Sequence, residues 1–199
     1  MQKKLVLASN NAGKLREFNA MFSERDIRVV GQGSLGVSAC EEPYHTFLEN
    51  ALAKARNAAR VSGLPALADD SGITAEALNG EPGVFSARYA GADCDDAANN
   101  AKLVAALKDK EDKRAHYTCV LVALRYADDP EPLVVEAHWD GVVISEARGT
   151  GGFGYDPYFY LPDFGKTAAE LTAKEKNAVS HRGKALRAML SVIAERWGW

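Results

Sequence analysis

Two long β-rich runs, His116 to Tyr126 and Leu133 to Ile144, are joined only by the polar stretch Ala127 to Pro132. Aspartates and prolines in that stretch make a turn, so the runs predict an antiparallel hairpin. A hairpin of this length needs a sheet to join, and the chain before it supplies one. Lys3 to Ala8 is a short apolar run, Ser9 to Gly13 is turn chemistry, and Lys14 to Phe22 places Leu15, Phe18, Met21 and Phe22 at helical spacing. Ile27 to Val30 and Leu64 to Ala68 predict further strands, and Tyr158 to Leu161 another. Strand-loop-helix units combined with a hairpin predict an α/β chain built on a mixed sheet.

The helices carry their own stop and start signals. Thr46 followed by Glu49 matches a capping box for a helix from Phe47 to about Val61, and Gly63 ends it. Asp93 to Leu107 is a second helix, and Ser180 caps a terminal amphipathic one reaching Trp197 with Leu186, Met189, Leu190 and Ile193 inward. Asp69 to Gly72 predicts a turn after the Leu64 to Ala68 strand, and Ile73 to Gly83 a small hairpin or extended excursion. No repeat, low-complexity tract or linker interrupts the 199 residues, which read as one domain, 1–199.

Charge and cysteine usage narrow the function. A formal net charge of -3 argues against a nucleic-acid binder, so an anionic partner must be met by locally placed cations. The three cysteines, Cys40, Cys94 and Cys119, form no C-x-x-C pair, and the four histidines have no ligand spacing, which argues against zinc. No apolar span suits a membrane, and the chain reads as cytoplasmic.

Six stretches carry chemistry. Ser9, Asn10, Asn11, Ala12, Gly13 and Lys14 form a strand-to-helix turn whose N–H groups and ammonium suit phosphate, although the spacing is not that of a Walker A loop. Asp69 and Asp70 end an apolar strand where open sheets place ligands; Asp70 is the carboxylate assigned to the site, while Asp69 ties down the turn. A second acidic pair, Glu41 and Glu42, completes the oxygen donors for Mg²⁺, and Lys54 shares a helix face with Asn50. Gly149, Gly151, Gly152 and Gly154 surround Phe153 and Tyr155 and lead into Asp156 and Pro157: either a loop for a planar ligand, or a core turn with both rings buried. Lys176 stands at the entrance to the terminal helix, whose first turn holds His181 and Arg182. Cations there oppose the helix dipole and call for an acceptor-rich ligand.

In sequence order the chain carries Ser9-x-Asn11-x-x-Lys14-x-x-Glu17, Glu41-Glu42, Thr46-Phe47-x-Glu49-Asn50-Ala51-x-x-Lys54-Ala55 and the run from Ala68 to Gly72. Gly83-x-x-Ser86 with Arg88 and Tyr89, the run from Gly151 to Pro157, and Lys176 to Arg182 complete it. This set resembles the inosine/xanthosine triphosphate pyrophosphatases, nearly end to end. The resemblance implies an elongated mixed β-sheet flanked by helices with the ligand cleft between two lobes, and hydrolysis of dITP, ITP and XTP to the monophosphate and pyrophosphate. It implies Mg²⁺, with Mn²⁺ as a substitute, and a homodimer, for which the segment Gly83 to Gly91 is the interface candidate. By the same resemblance Ser9 to Lys14 bind the triphosphate with Lys54 and Lys176, Asp70 is the catalytic acidic residue with Ser71 beside it, and Phe153, Gly154, Tyr155, Asp156, His181 and Arg182 hold the base. The family often has a glycine two positions after the acidic pair. Here Pro43-Tyr44-His45 stands instead, and the metal role stays with Glu41, Glu42 or both.

Overall fold

The computed structural model describes residues 2–92 and 95–199; Asp93 and Cys94, the expected start of a helix and one of the cysteines, lie outside the described residues, as does Met1. Seven strands form one sheet in the order β2-β1-β3-β4-β5-β6-β7. They are β1 (Lys3–Leu7), β2 (Ile27–Gly31), β3 (Ala66–Ala75), β4 (Arg114–Leu124), β5 (Leu133–Val143), β6 (Phe159–Leu161) and β7 (Lys166–Thr167). β1 runs parallel to β2 and β3, whereas β5–β6 and β6–β7 are antiparallel, so the sheet is mixed as expected. Among the described residues the α-helices are α1 (Ala12–Phe22), α2 (Phe47–Ser62), α3 (Asp96–Leu107), α4 (Ala173–Val179) and α5 (His181–Trp197).

The chain divides into two compact units. The first comprises 1–70, 119–136 and 185–199, and the second 71–118 and 137–184. In the first, the alanines of α2 (Ala51, Ala55, Ala58 and Ala59) bury against Val6, Ala66, Ala68, Val120, Val122 and Leu124. Small side chains on the helix let its axis lie close to the strands, which brings the polar residues of the same helix near the strand ends. Thr46 caps α2 by accepting the Glu49 N–H at 3.2 Å, and Gly63 closes it with φ 66°. The capping box is incomplete, because Glu49 takes the Thr46 hydroxyl at 2.6 Å instead of its backbone N–H. In the second unit, Tyr117, Trp139, Tyr155 and Phe159 build an aromatic core with Leu103, Leu107 and Leu161.

Two expectations are corrected, and two short elements are added. Asp69 to Gly72 is not a turn: β3 continues through it, because both carboxylates find lysines while the strand's apolar residues, Leu67, Ala68 and Ile73, stay fully buried. Lys176 does not lie in an open approach to the terminal helix; it belongs to a separate short helix, α4, which Thr172 and Glu175 open with a full capping box. β7 and α4 are both absent from the sequence-based expectation, being too short to carry a period.

Candidate active site

In the first unit the turn after β1 leads into α1. Ser9 Oγ accepts the Asn11 N–H at 3.1 Å, and Asn11 Oδ1 caps the helix by accepting the Lys14 N–H at 3.0 Å. Asn10 Oδ1 takes the Gly33 N–H at 3.0 Å and pins the turn to the segment after β2. Ala12 and Gly13 are then the first two helical residues, whose N–H groups lie at the positive end of α1. Lys14 reaches across to β3 and meets Asp69 Oδ2 at 2.9 Å, with that carboxylate almost wholly buried. Asp69 therefore orients Lys14; it does not tie down a turn.

Asp70, the next residue on the strand, turns to a different lysine. Lys54 Nζ lies 3.0 Å from Asp70 Oδ1 and 3.1 Å from Glu42 Oε2, bridging the two carboxylates. Burial would lower the Lys54 pKa, but the charges of Asp70, Asp69 and Glu42 together outweigh it and hold the ammonium above its ordinary value. Asp70 moves the other way from a usual carboxylate: burial pushes it up to about 6, against the pull of Lys54. Its second oxygen, Oδ2, is buried and accepts no hydrogen bond. Of the acidic pair, only Glu42 is tied to this cluster. Glu41 instead lines a groove of about 540 Å³ with Tyr44, Leu52, Arg56 and Arg60.

The cluster suits a hard divalent cation. Its donors are carboxylate oxygens, and one of them, Asp70 Oδ2, is buried without a partner. Among the described residues no group of three or more His, Cys, Asp or Glu is arranged to hold a metal.

The second unit contains the glycine-rich loop. Phe153 and Tyr155 have opposite fates: Tyr155 is 5% exposed, in the aromatic core with its hydroxyl donating to the Ser86 carbonyl at 2.7 Å, whereas Phe153 is 57% exposed. The core-turn reading therefore holds for Tyr155, while Phe153 is left exposed. Asp156 is buried and staples the loop, accepting the Phe153 N–H at 2.8 Å and the Lys176 ammonium. Gly152 is required here, since it sits at φ +74° and a Cβ would collide with that carboxylate. Over the Phe153 ring stand the Lys176 ammonium at 4.6 Å and the Arg182 guanidinium at 5.5 Å from its centroid. Arg182 also donates to Ser71 Oγ at 3.4 Å. His181 stacks on Tyr117, 4.7 Å between centroids and 5° between planes, which fixes the start of α5 against the core.

A model of the Ham1 family matches residues 5–192. The chain belongs to the Ham1 family. Among curated relatives, a dITP/XTP pyrophosphatase of Nitrosomonas europaea is 57% identical over 192 residues, covering 96% of this chain and 95% of that protein. Another of that name, from Ralstonia nicotianae, is 61% identical over 187 residues, covering 92% and 93%. Among solved structures, a HAM1 protein from Coxiella burnetii superposes with a TM-score of 0.94 at 47% identity, over 97% of this chain and 99% of that one. The Staphylococcus aureus Ham1 protein gives 0.89 at 39% identity, with 97% and 99% covered. The residues that carry the Ham1 resemblance are the ones the structure ties together: Lys14 with Asp69, Lys54 with Glu42 and Asp70, and Lys176 with Asp156.

Sequence reasoning passed over two contributors to this site. Asp96 and Asn100 bind both polar groups of the Gly154 backbone. A signal was present: Asn99 and Asn100 sit inside a helix, where asparagine is a poor former and needs a reason to be kept.

Proposed function

We propose that this Ham1-family chain hydrolyses dITP, ITP and XTP to the nucleoside monophosphate and pyrophosphate, clearing non-standard purines from the nucleotide pool. The observation that carries it is Lys54 held between Glu42 and Asp70, with the second Asp70 oxygen buried and unsatisfied. That cluster sets an oriented ammonium beside a buried carboxylate oxygen. The curated relatives named dITP/XTP pyrophosphatase support the substrate class.

In the reaction, water attacks the α-phosphorus, the bond from that phosphorus to the oxygen bridging to the β-phosphate breaks, and pyrophosphate leaves. Asp70 is the acidic residue we assign to this step, as proton acceptor or as cation ligand, because a carboxylate bound directly to Mg²⁺ is a poor proton acceptor. Lys14 and Lys54, each oriented by a carboxylate, neutralise the charge that develops on the leaving group. Glu42 and Asp70 are the oxygens we assign to a divalent cation, Mg²⁺ with Mn²⁺ as substitute. When bound, it supplies Lewis acidity toward the phosphate oxygens. The N–H groups at the start of α1 hold the phosphate chain.

Recognition of the base falls to the second unit. Phe153 offers a ring face on which any purine stacks, and Arg182 donates to the oxygen at C6 of hypoxanthine or xanthine, where adenine carries an amine. Lys176, drawn to Asp156, adds positive charge toward the substrate. We place the enzyme in the cytoplasm with its nucleotide substrates; among the described residues no helix is long and apolar enough to cross a membrane. A homodimer using the Gly83 to Gly91 segment is part of the proposal. Phe85 is half exposed there under the Arg88 guanidinium, 5.2 Å away, while the buried Ser86 hydroxyl holds the segment by accepting the Ile73 N–H. Pyrophosphate release from dITP, ITP, XTP, GTP and ATP, with Mg²⁺ and with excess chelator, tests the assignment. Turnover of ATP equal to ITP, or full activity in chelator, would overturn it.

A further inference from the structure

We infer that Asp96 and Asn100, one turn apart at the start of α3, are positioning residues that hold the Phe153 ring in the orientation a purine stacks on; the inference rests on the base-binding role proposed for that ring. Asp96 Oδ2 accepts the Gly154 N–H at 2.7 Å. The Asn100 amide gives one hydrogen to the Gly154 carbonyl at 2.9 Å and the other to the Asp96 carbonyl at 2.7 Å. Both donors are spent on carbonyls, so the amide has one orientation only, and the side chain is 5% exposed. On the other side of the ring, Asp156 accepts the Phe153 N–H at 2.8 Å. Three successive peptide units around Phe153 are therefore held by side chains.

Such pinning matters because the ring is more than half exposed. Phe153 is 57% exposed in a loop of glycines, with the Lys176 ammonium and the Arg182 guanidinium over its ring. Its orientation is set through its backbone. Releasing the clamp returns freedom to about one residue, which the bound purine must then freeze, and this weakens apparent affinity by about five- to thirtyfold. The chemical step is untouched, since neither Asp96 nor Asn100 belongs to the unit that holds Lys54 and Asp70.

The test uses the full chain. Asp96→Ala, at an exposed position, removes the acceptor; Asp96→Asn keeps an oxygen for the Gly154 N–H; Asn100→Asp keeps the shape and removes both donors. With wild-type turnover of ITP first established, Asp96→Ala and Asn100→Asp are expected to raise KM for ITP and ATP alike by about five- to thirtyfold with kcat within about twofold. Asp96→Asn should restore most of the loss. In the free protein, amide exchange at Gly154 should quicken in Asp96→Ala, a readout that needs no substrate. Combined with Phe153→Ala, Asp96→Ala should add no further increase in KM, because the ring it positions is gone. A KM increase that adds in full to that of Phe153→Ala, or faster exchange with unchanged KM, would overturn the inference. Wild-type protein that turns over no purine triphosphate would instead defeat the proposed function itself.

Discussion

Lys54→Met is the most informative single change, because the methylene stem is kept while the ammonium between two carboxylates is removed. In the structure Lys54 is 13% exposed and Asp70 12%, with Glu42 at 35%. Taking one partner from a buried pair costs about 3–5 kcal/mol, because the abandoned charge stays in a poor solvent. Glu42 reaches water and relaxes, so the lower end applies. A loss of about 3 kcal/mol lowers the thermal midpoint of a chain this size by about 6–12 °C. The two carboxylates left behind repel each other and hold a divalent cation more tightly than before. Adding Mg²⁺ should then raise the midpoint of the variant by more than it raises that of the wild type, by mass action on the folded state. Turnover should not recover with it: losing a donor aimed at developing charge lowers kcat/KM by about a hundred- to a thousandfold. Calorimetry in chelator and across a Mg²⁺ series, with pyrophosphate release on the same samples, reads both effects. Lys108→Ala, an exposed lysine at the end of α3, is the control. If Lys54→Met matched it in midpoint and turnover, the cluster would carry neither role.

Asp70→Asn should lose at least about a hundredfold in kcat while nucleotide binding survives, since the carboxylate acts on the transition state; near-normal turnover in that variant removes Asp70 from the chemistry. Phe153→Ala should raise KM for all purine triphosphates together, whereas Arg182→Ala should selectively erode the preference for ITP over ATP. Steady-state kinetics with ITP, XTP, GTP and ATP separates them, and an unchanged ITP/ATP ratio in Arg182→Ala takes that residue out of base recognition. A last prediction concerns acid stability. The Arg125 guanidinium, 2.7 Å away, holds the buried Asp129 carboxyl well below its ordinary 3.8. A depressed folded-state pKa gives stability that is complete above the unfolded value and drains as pH falls below about 4. Asp129→Asn should flatten that part of the acid-unfolding profile, and superimposable profiles would show that the pair contributes nothing there.

Local signals were legible in the sequence because their partners lie a few residues away. The Thr46 cap, the Gly63 stop and the Ser180 hydroxyl that receives the Gly183 N–H at 3.2 Å all belong to this kind. So does the β1-turn-α1 unit, although α1 begins at Ala12, earlier than its apolar spacing predicts, because Asn11 supplies the cap. What depends on distant partners was illegible. Asp69 to Gly72 read as a turn because carboxylates, serine and glycine favour one; only the lysines from α1 and α2 make a strand tolerable there. Which of Glu41 and Glu42 would meet Lys54 could not be read from the sequence; the structure pairs Glu42. The fates of Phe153 and Tyr155 were equally hidden, since both are large rings among glycines, and a carbonyl at Ser86 decides between them.

The pairing of each site lysine with a carboxylate also explains how a net acidic chain can take a polyanion. Lysines left free would bind phosphate strongly but would sample many geometries, and each would have to be ordered at the moment of binding. Lys14 and Lys54 are ordered beforehand by Asp69, Asp70 and Glu42, at the cost of giving up most of their positive field. Two ammonium groups against three carboxylates leave this part of the molecule negative before any phosphate arrives. Under the proposed function a triphosphate would bring further negative charge here, and a divalent cation carried with the nucleotide would offset it; Asp70, with its buried, unpartnered oxygen, is the residue we propose to meet that cation. On that proposal, metal dependence and preorganisation of the lysines would both follow from the same excess of carboxylate.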